Sequence, residues 1–215
     1  MLDVPTADLR WDSTPESPTA AVLVLHGGQE RSTLPAGWWQ PPVVRMLPIA
    51  RNIVRAGDGR LAVLRSRYAV RGWNDALASP LRDTEQALDT IAARYPGVPV
   101  VLIGHSMGGH GALTLALRHP GVFKSLSALA PICAPSRCPW GMKAFTGYLG
   151  SDREAWSSHD ATGLMQALSS AKEKAPYPQG ILIDQGLADK FLAEQLHPHL
   201  FESACADAAQ PLELR

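Results

Sequence analysis

The residues able to do chemistry in this 215-residue chain gather in two glycine-flanked blocks and one carboxylate loop. The block GHSMG, Gly104 to Gly108, holds a serine between glycines, directly after the apolar run VPVVLIG and before an apolar helical stretch. A turn this sharp needs flanks without bulk, and it leaves the serine hydroxyl exposed above a sheet, aligned with the N-terminus of the following helix. Ser106 is therefore the candidate nucleophile. Met107, next along, would offer its backbone N–H to a developing oxyanion. The block LHGGQ, Leu25 to Gln29, ends an earlier apolar run, and Gly28 is the candidate second oxyanion donor, with Gln29 close behind. His26 is expected to order that loop rather than to serve as a base.

A nucleophilic serine needs a base, and the base needs an acid that holds its tautomer. After the run ILID comes QGLADKF, so Asp189 is the candidate acid and Asp184, at the strand end, the alternative. Either carboxylate could instead cap a helix or sit solvated in a loop. None of the seven histidines follows a sixth strand, where the base is expected. His105 is an elbow residue expected to point away from Ser106, and His110 lies one turn into the helix. His119 precedes Pro120 at a helix end, His159 sits in a long insertion, and His197 and His199 belong to the helical stretch after Asp189. Surface or capping roles are expected for all of them, because proton transfer requires hydrogen-bond reach to the serine oxygen.

These groups need a frame. Five apolar runs read as strands: Ala21 to Leu25, Arg60 to Ser66, Val98 to Gly104, Ser125 to Ala130 and Gly180 to Asp184. PLELR at the C-terminus begins like a sixth. Helical patterns lie between them; in the clearest, Ser79 can cap, Pro80 suits the first turn, and Leu81, Leu88 and Ile91 share a face before Pro96-Gly97. This alternation predicts an α/β fold, a mostly parallel sheet with helices on both faces, formed by residues 1–215 as a single domain. The lead-in before Ala21 reads as turn-rich. Pro131 to Pro178 reads as one or two helices with a lid-like loop, in which Trp140, Phe145 and Tyr148 are candidate pocket walls.

Twenty basic and twenty acidic residues balance. Nothing in that balance points to nucleic acid or to an anionic membrane surface, and a small molecule is the expected partner, with self-association left open. No apolar run reaches membrane-spanning length and the N-terminus lacks a signal-peptide pattern, which together predict a cytoplasmic chain. Cys133, Cys138 and Cys205 lack the paired spacing of a zinc site and are expected to be buried free thiols; neither metal nor cofactor is implied.

The segment from Gly104 to the C-terminus, with APIC, CPWG, GYLG and IDQG, resembles S-formylglutathione hydrolase of the esterase D family within the α/β-hydrolases. The resemblance implies Ser106 as nucleophile, Asp189 as acid, and acyl transfer from short-chain esters or thioesters. It also implies a histidine in a GYDHSYYF-type segment, which would lie past Arg215; on this reading the fold is truncated at its C-terminal end and turnover is impaired. The segment before Gly104, with AVLVLHGGQ and RSRYAVRGWND, looks like a different, small bacterial α/β-hydrolase, so a join of two hydrolases at GHSMGG is expected.

Overall fold

A computed structural model describes residues 6–29, 32–72, 79–171 and 174–215. Trp73 to Asp75 of the RSRYAVRGWND segment and the side chain of Tyr148 fall outside the described residues. Seven strands form one sheet in the order β1-β3-β2-β4-β5-β6-β7. They are β1 (Asp8–Ser13), β2 (Ala20–Leu25), β3 (Leu61–Arg67), β4 (Val100–His105), β5 (Phe123–Leu129), β6 (Ile181–Asp184) and β7 (Leu212–Leu214). All neighbours are parallel except β1, which runs antiparallel to β3.

The expected strands are present, PLELR among them, since Leu212 pairs with Ile181 and Leu214 with Ile183. The lead-in differs from expectation. Asp8–Ser13 is a strand, bulged at Trp11/Ser13, with polar residues that alternate without a wholly buried face. Charge and aromatic stacking hold it in place. Asp12 receives Arg65 through Nη2 at 2.8 Å, Asp8 receives Arg67 at 3.2 Å, and the guanidinium of Arg10 lies 4.1 Å from the centre of the Trp38 ring. None of this shows as apolar periodicity.

Strand alternation divides the core. Leu23, Leu64, Leu102, Leu126 and Ile183 face one way, onto α3 (Ser79–Arg94), α4 (Met107–Arg118), α7 (Ala161–Ala171) and α8 (Pro198–Asp207). Val22, Val24 and Val63 face the other way, onto α2 (Met46–Gly57), which follows the single turn α1 (Pro41–Val44). The insertion after β5 holds three helices rather than one or two: α5 (Pro139–Leu149), α6 (Arg153–Ser157) and α7. Asp152 caps α6 through Glu154 N–H at 3.0 Å, and Asp160 binds the backbone N–H groups of Ser136 at 2.9 Å and Gly163 at 3.1 Å. A segment rich in Pro and Gly therefore becomes helical because side-chain carboxylates satisfy its exposed amides.

Cys133, Cys138 and Cys205 are free and buried, and burial pushes their thiols up. Among the described residues no helix is long and apolar enough to cross a membrane, and no group of three or more His, Cys, Asp or Glu could hold a metal ion. Phe201 on α8 is fully buried in the larger core. Phe201→Ala should lower the unfolding free energy by about 3–5 kcal/mol, read as a drop in the urea midpoint at an unchanged slope.

Candidate active site

At the end of β4 the chain reverses into α4 within one residue. Ser106 makes that reversal at φ 54°, ψ −120°, a left-handed backbone uncommon for a residue with a side chain. Both of its peptide groups are held: its N–H donates to Leu129 O at 2.9 Å, and its carbonyl accepts His110 N–H at 3.0 Å. The flanking glycines are required by contact. A Cβ on Gly104 would lie 2.0 Å from the carbonyl oxygen of Gly108, and one on Gly108 would lie 2.7 Å from the carbonyl of His26. The second contact joins the serine turn to the loop after β2, because Gly108 rests directly on the main chain of that loop.

His26 is almost fully buried under the same loop. Its Nε2 accepts the N–H of Tyr68 at 3.1 Å, so the ring proton sits on Nδ1 and is donated to the carbonyl of Gly27 at 2.6 Å. Burial lowers its pKa to about 4 against the Gly27 bond, which favours the charged form, while the charge of Arg67 lowers it further. With both nitrogens engaged and the ring held neutral, His26 orders the loop and has no capacity to act as a base.

Among the amides proposed as oxyanion donors, Gln29 N–H is already committed to Arg71 O at 2.7 Å. The described hydrogen bonds assign no acceptor to the N–H of Gly28 or of Met107. Gly28 and Gln29, together with Trp39, Gln40 and Arg71, line a cavity of about 170 Å³. Sequence reasoning missed the last three. They reach the loop through two isolated bridges, Gln29 with Gly72 and Pro35 with Val70, a pairing that no local periodicity signals.

Asp189 is half-buried and ends a tight turn, with its N–H on Gly186 O at 3.0 Å and its Oδ1 accepting Phe191 N–H at 2.9 Å. Its charge reaches His105, whose pKa is lowered chiefly by burial and then by Arg45, with Asp189 opposing. Asp189 and the serine turn therefore share one end of the sheet. Asp184 is exposed.

The histidines stand elsewhere. His105 is in register with Leu129, on the α2 face of the sheet. His110 is buried and its Nε2 lies 3.0 Å from the carbonyl oxygen of His159, an atom that can only accept, so Nε2 carries the proton; Thr114 Oγ1 lies 3.2 Å away. His159 Nδ1 meets Arg118 at 3.4 Å. His119 ends α4, and His197 precedes α8 with its ring 5.7 Å from that of His199. Among the described residues no histidine is hydrogen-bonded to Ser106 Oγ. Of the candidate walls, Phe145 is fully buried against Trp156, a packing residue, whereas Trp140 is partly exposed and stacks on Phe191, 4.5 Å between ring centres.

A serine at a strained strand-to-helix turn above a mostly parallel sheet is the structural context that the G-x-S-x-G motif requires. The family model described as "Esterase: Putative esterase" matches residues 60–215. The chain belongs to the Esterase family. Within it, the chain is similar to the S-formylglutathione hydrolases of Rattus norvegicus, 46% identical over 147 residues, and of Mus musculus, 47% identical over 135 residues. These alignments cover 66% and 61% of this chain but 50% and 46% of the relatives, so the chain spans about half the length of the curated relatives it matches. An S-formylglutathione hydrolase from Agrobacterium tumefaciens, the subject of a structural and kinetic study, superposes with a TM-score of 0.73 at 28% identity, covering 97% of this chain and 85% of that one. The Esterase match spans the GHSMGG block and begins well upstream of it.

Two outcomes follow for this esterase turn. Gly108→Ala pushes a methyl group into the main chain of His26 and should destabilise the fold by about 2–3 kcal/mol in urea unfolding, slowing fluorophosphonate labelling of Ser106 more than tenfold. His26 is held below its ordinary pKa, so the folded chain binds fewer protons than the unfolded chain between the two values. Its contribution to stability is full above pH 6.5 and disappears as pH falls toward 4, by about 3 kcal/mol in all. His26→Asn should therefore flatten the decline of the urea midpoint across that window.

Proposed function

We propose that the chain is a serine hydrolase of short-chain acyl esters or thioesters, of the S-formylglutathione hydrolase type. The single observation that carries this reading is the strained Ser106 backbone, pinned between β4 and α4 by Gly104 and Gly108. Its support from kinship is that the three curated relatives, the Bos taurus protein included at 51% identity over 116 residues, bear the name S-formylglutathione hydrolase.

In this mechanism Ser106 Oγ attacks the acyl carbonyl carbon and passes its proton to a base. The carbonyl π electrons move onto oxygen, where the N–H groups of Met107 and Gly28 receive the charge. Collapse expels the thiolate or alkoxide, which takes up the proton, and leaves an acyl ester on Ser106 for water to cleave. Asp189 serves as the acid that orients the base. Neither His110 nor His159 is assigned that role, since among the described residues no hydrogen bond joins either ring to Ser106 and their bonds run to Thr114 and Arg118.

The join of two hydrolase segments at GHSMGG belongs to the same proposal. Its support is the unlike character of AVLVLHGGQ, before the block, and of APIC and CPWG, after it; the Esterase match, which begins at residue 60, counts against a boundary at Gly104. The join expects urea unfolding followed by tryptophan fluorescence and by far-ultraviolet circular dichroism to give separate midpoints; coincident curves would remove it.

The hydrolase reading is tested by labelling and turnover. A fluorophosphonate probe should label the wild-type chain and leave Ser106→Ala unmodified, and hydrolysis of 4-nitrophenyl acetate above the blank should vanish in Ser106→Ala while persisting in His110→Gln and His159→Gln. Equal rates in wild type and Ser106→Ala would end the reading.

A further inference from the structure

Among the described residues, the cavity beside the loop after β2 carries a cation without an anion. Arg71 is fixed at the main chain on both sides, its N–H on Leu34 O at 3.0 Å and its carbonyl receiving Gln29 N–H at 2.7 Å. Its guanidinium meets neutral oxygen only: Nε donates to Pro35 O at 3.1 Å, and Gln40, with its amide turned oxygen-inward, accepts from Nη2 at 2.8 Å, from Nη1 at 3.3 Å and from Nε, which leaves the second N–H of each terminal nitrogen open. No ion pair joins Arg71 to a carboxylate among the described residues. By contrast, Arg65 and Arg67, earlier in the chain on β3, are matched to Asp12 and Asp8. Trp39, 75% exposed, stands over the guanidinium at 6.0 Å and forms an apolar wall of the same cavity.

Arginine presents five N–H donors in a planar fork, and the neutral oxygens around Arg71 leave part of that fork open. Next to an indole wall the fork suits a planar carboxylate held through paired N–H···O bonds. Gly28, proposed to receive the oxyanion, lines the same cavity, so a carboxylate seated there lies beside the proposed oxyanion donor.

We propose that Arg71, with Gln40 and Trp39, forms a carboxylate-recognition subsite, and that the chain prefers esters or thioesters bearing a carboxylate a few bonds from the scissile carbonyl. The subsite deepens the hydrolase reading and rests on it only for the identity of the ligand as substrate. A carboxylate on the acyl chain and one on the leaving group share this chemistry.

The test has a binding arm and a turnover arm. In ¹H–¹⁵N spectra, adipate should shift the Trp39 indole and Gly28 amide resonances saturably while neutral adipamide leaves them in place. Arg71→Gln should weaken that binding at least fivefold, with Arg71→Lys between the two, and added salt should weaken it as well. In turnover, kcat/KM is compared for 4-nitrophenyl hexanoate, the 4-nitrophenyl half-ester of adipic acid, and the hexanoate ester of 3-carboxy-4-nitrophenol. One of the two carboxylate esters should exceed the neutral ester at least fivefold, identifying the side on which the charge is read, and Arg71→Gln should bring that ratio to about one. Equal binding of adipate and adipamide, or unchanged adipate binding in a folded Arg71→Gln chain, overturns the subsite. If Ser106-dependent turnover is seen without a carboxylate preference, the subsite falls and the hydrolase stands. If adipate binds through Arg71 but no ester is cleaved, the subsite stands and the hydrolase falls.

Discussion

The structure depends on one close approach: the α-carbon of Gly108 lies against the carbonyl of His26, with no room between them for a methyl group. That contact fixes the loop after β2 to the first turn of α4, so the amides of Gly28 and Met107 are carried by a single rigid unit. In the proposed mechanism their geometry need not be assembled when a substrate arrives, which is the condition under which main-chain dipoles stabilise developing charge most effectively. The sheet beneath serves this junction. β2 and β4 are adjacent and parallel, with Leu25 opposite Gly104, and both chain ends therefore leave the sheet at the same level.

Around the junction, three buried polar side chains are held by main chain. His26 bridges Gly27 and Tyr68, Asp83 accepts the N–H of Ala69 at 2.7 Å, and Gln210 holds both the N–H and the carbonyl of Tyr177. Each such bond ties a loop at an end of the sheet to a side chain from elsewhere in the chain. The backbone strain at Ser106, on the order of 1–3 kcal/mol, is held by the bonds to Leu129 and His110 on either side of it.

Much of this was legible in the sequence. Apolar runs of Val, Leu and Ile marked β2 to β6 because a strand covered on both faces must be apolar at nearly every position. GHSMG declared its turn because a sharp strand-to-helix reversal leaves few residue types able to flank it. β1 escaped notice for the opposite reason: DLRWDS is held by Asp–Arg pairs and by Trp38, partners more than twenty residues away. The helices after β5 were undercounted because their stability lies in capping by Asp152 and Asp160 rather than in a long apolar face. Arg71, Trp39 and Gln40 were invisible as a group, since only the folded loop crossings bring them together. Gly28 was preferred to Gln29 from the sequence by its place in LHGGQ alone; the bond from Gln29 N–H to Arg71 O depends on a loop crossing that the sequence does not show.

A sheet has two margins, and a margin is where a foreign polypeptide could zip onto unpaired peptide groups. Here the β1 margin is guarded. β1 bears Asp8, Arg10 and Asp12, and its arginine neighbours crowd Trp38, so an incoming strand would have to displace a charged and aromatic layer. The same charges that made the first strand hard to recognise also keep that margin from accepting another strand.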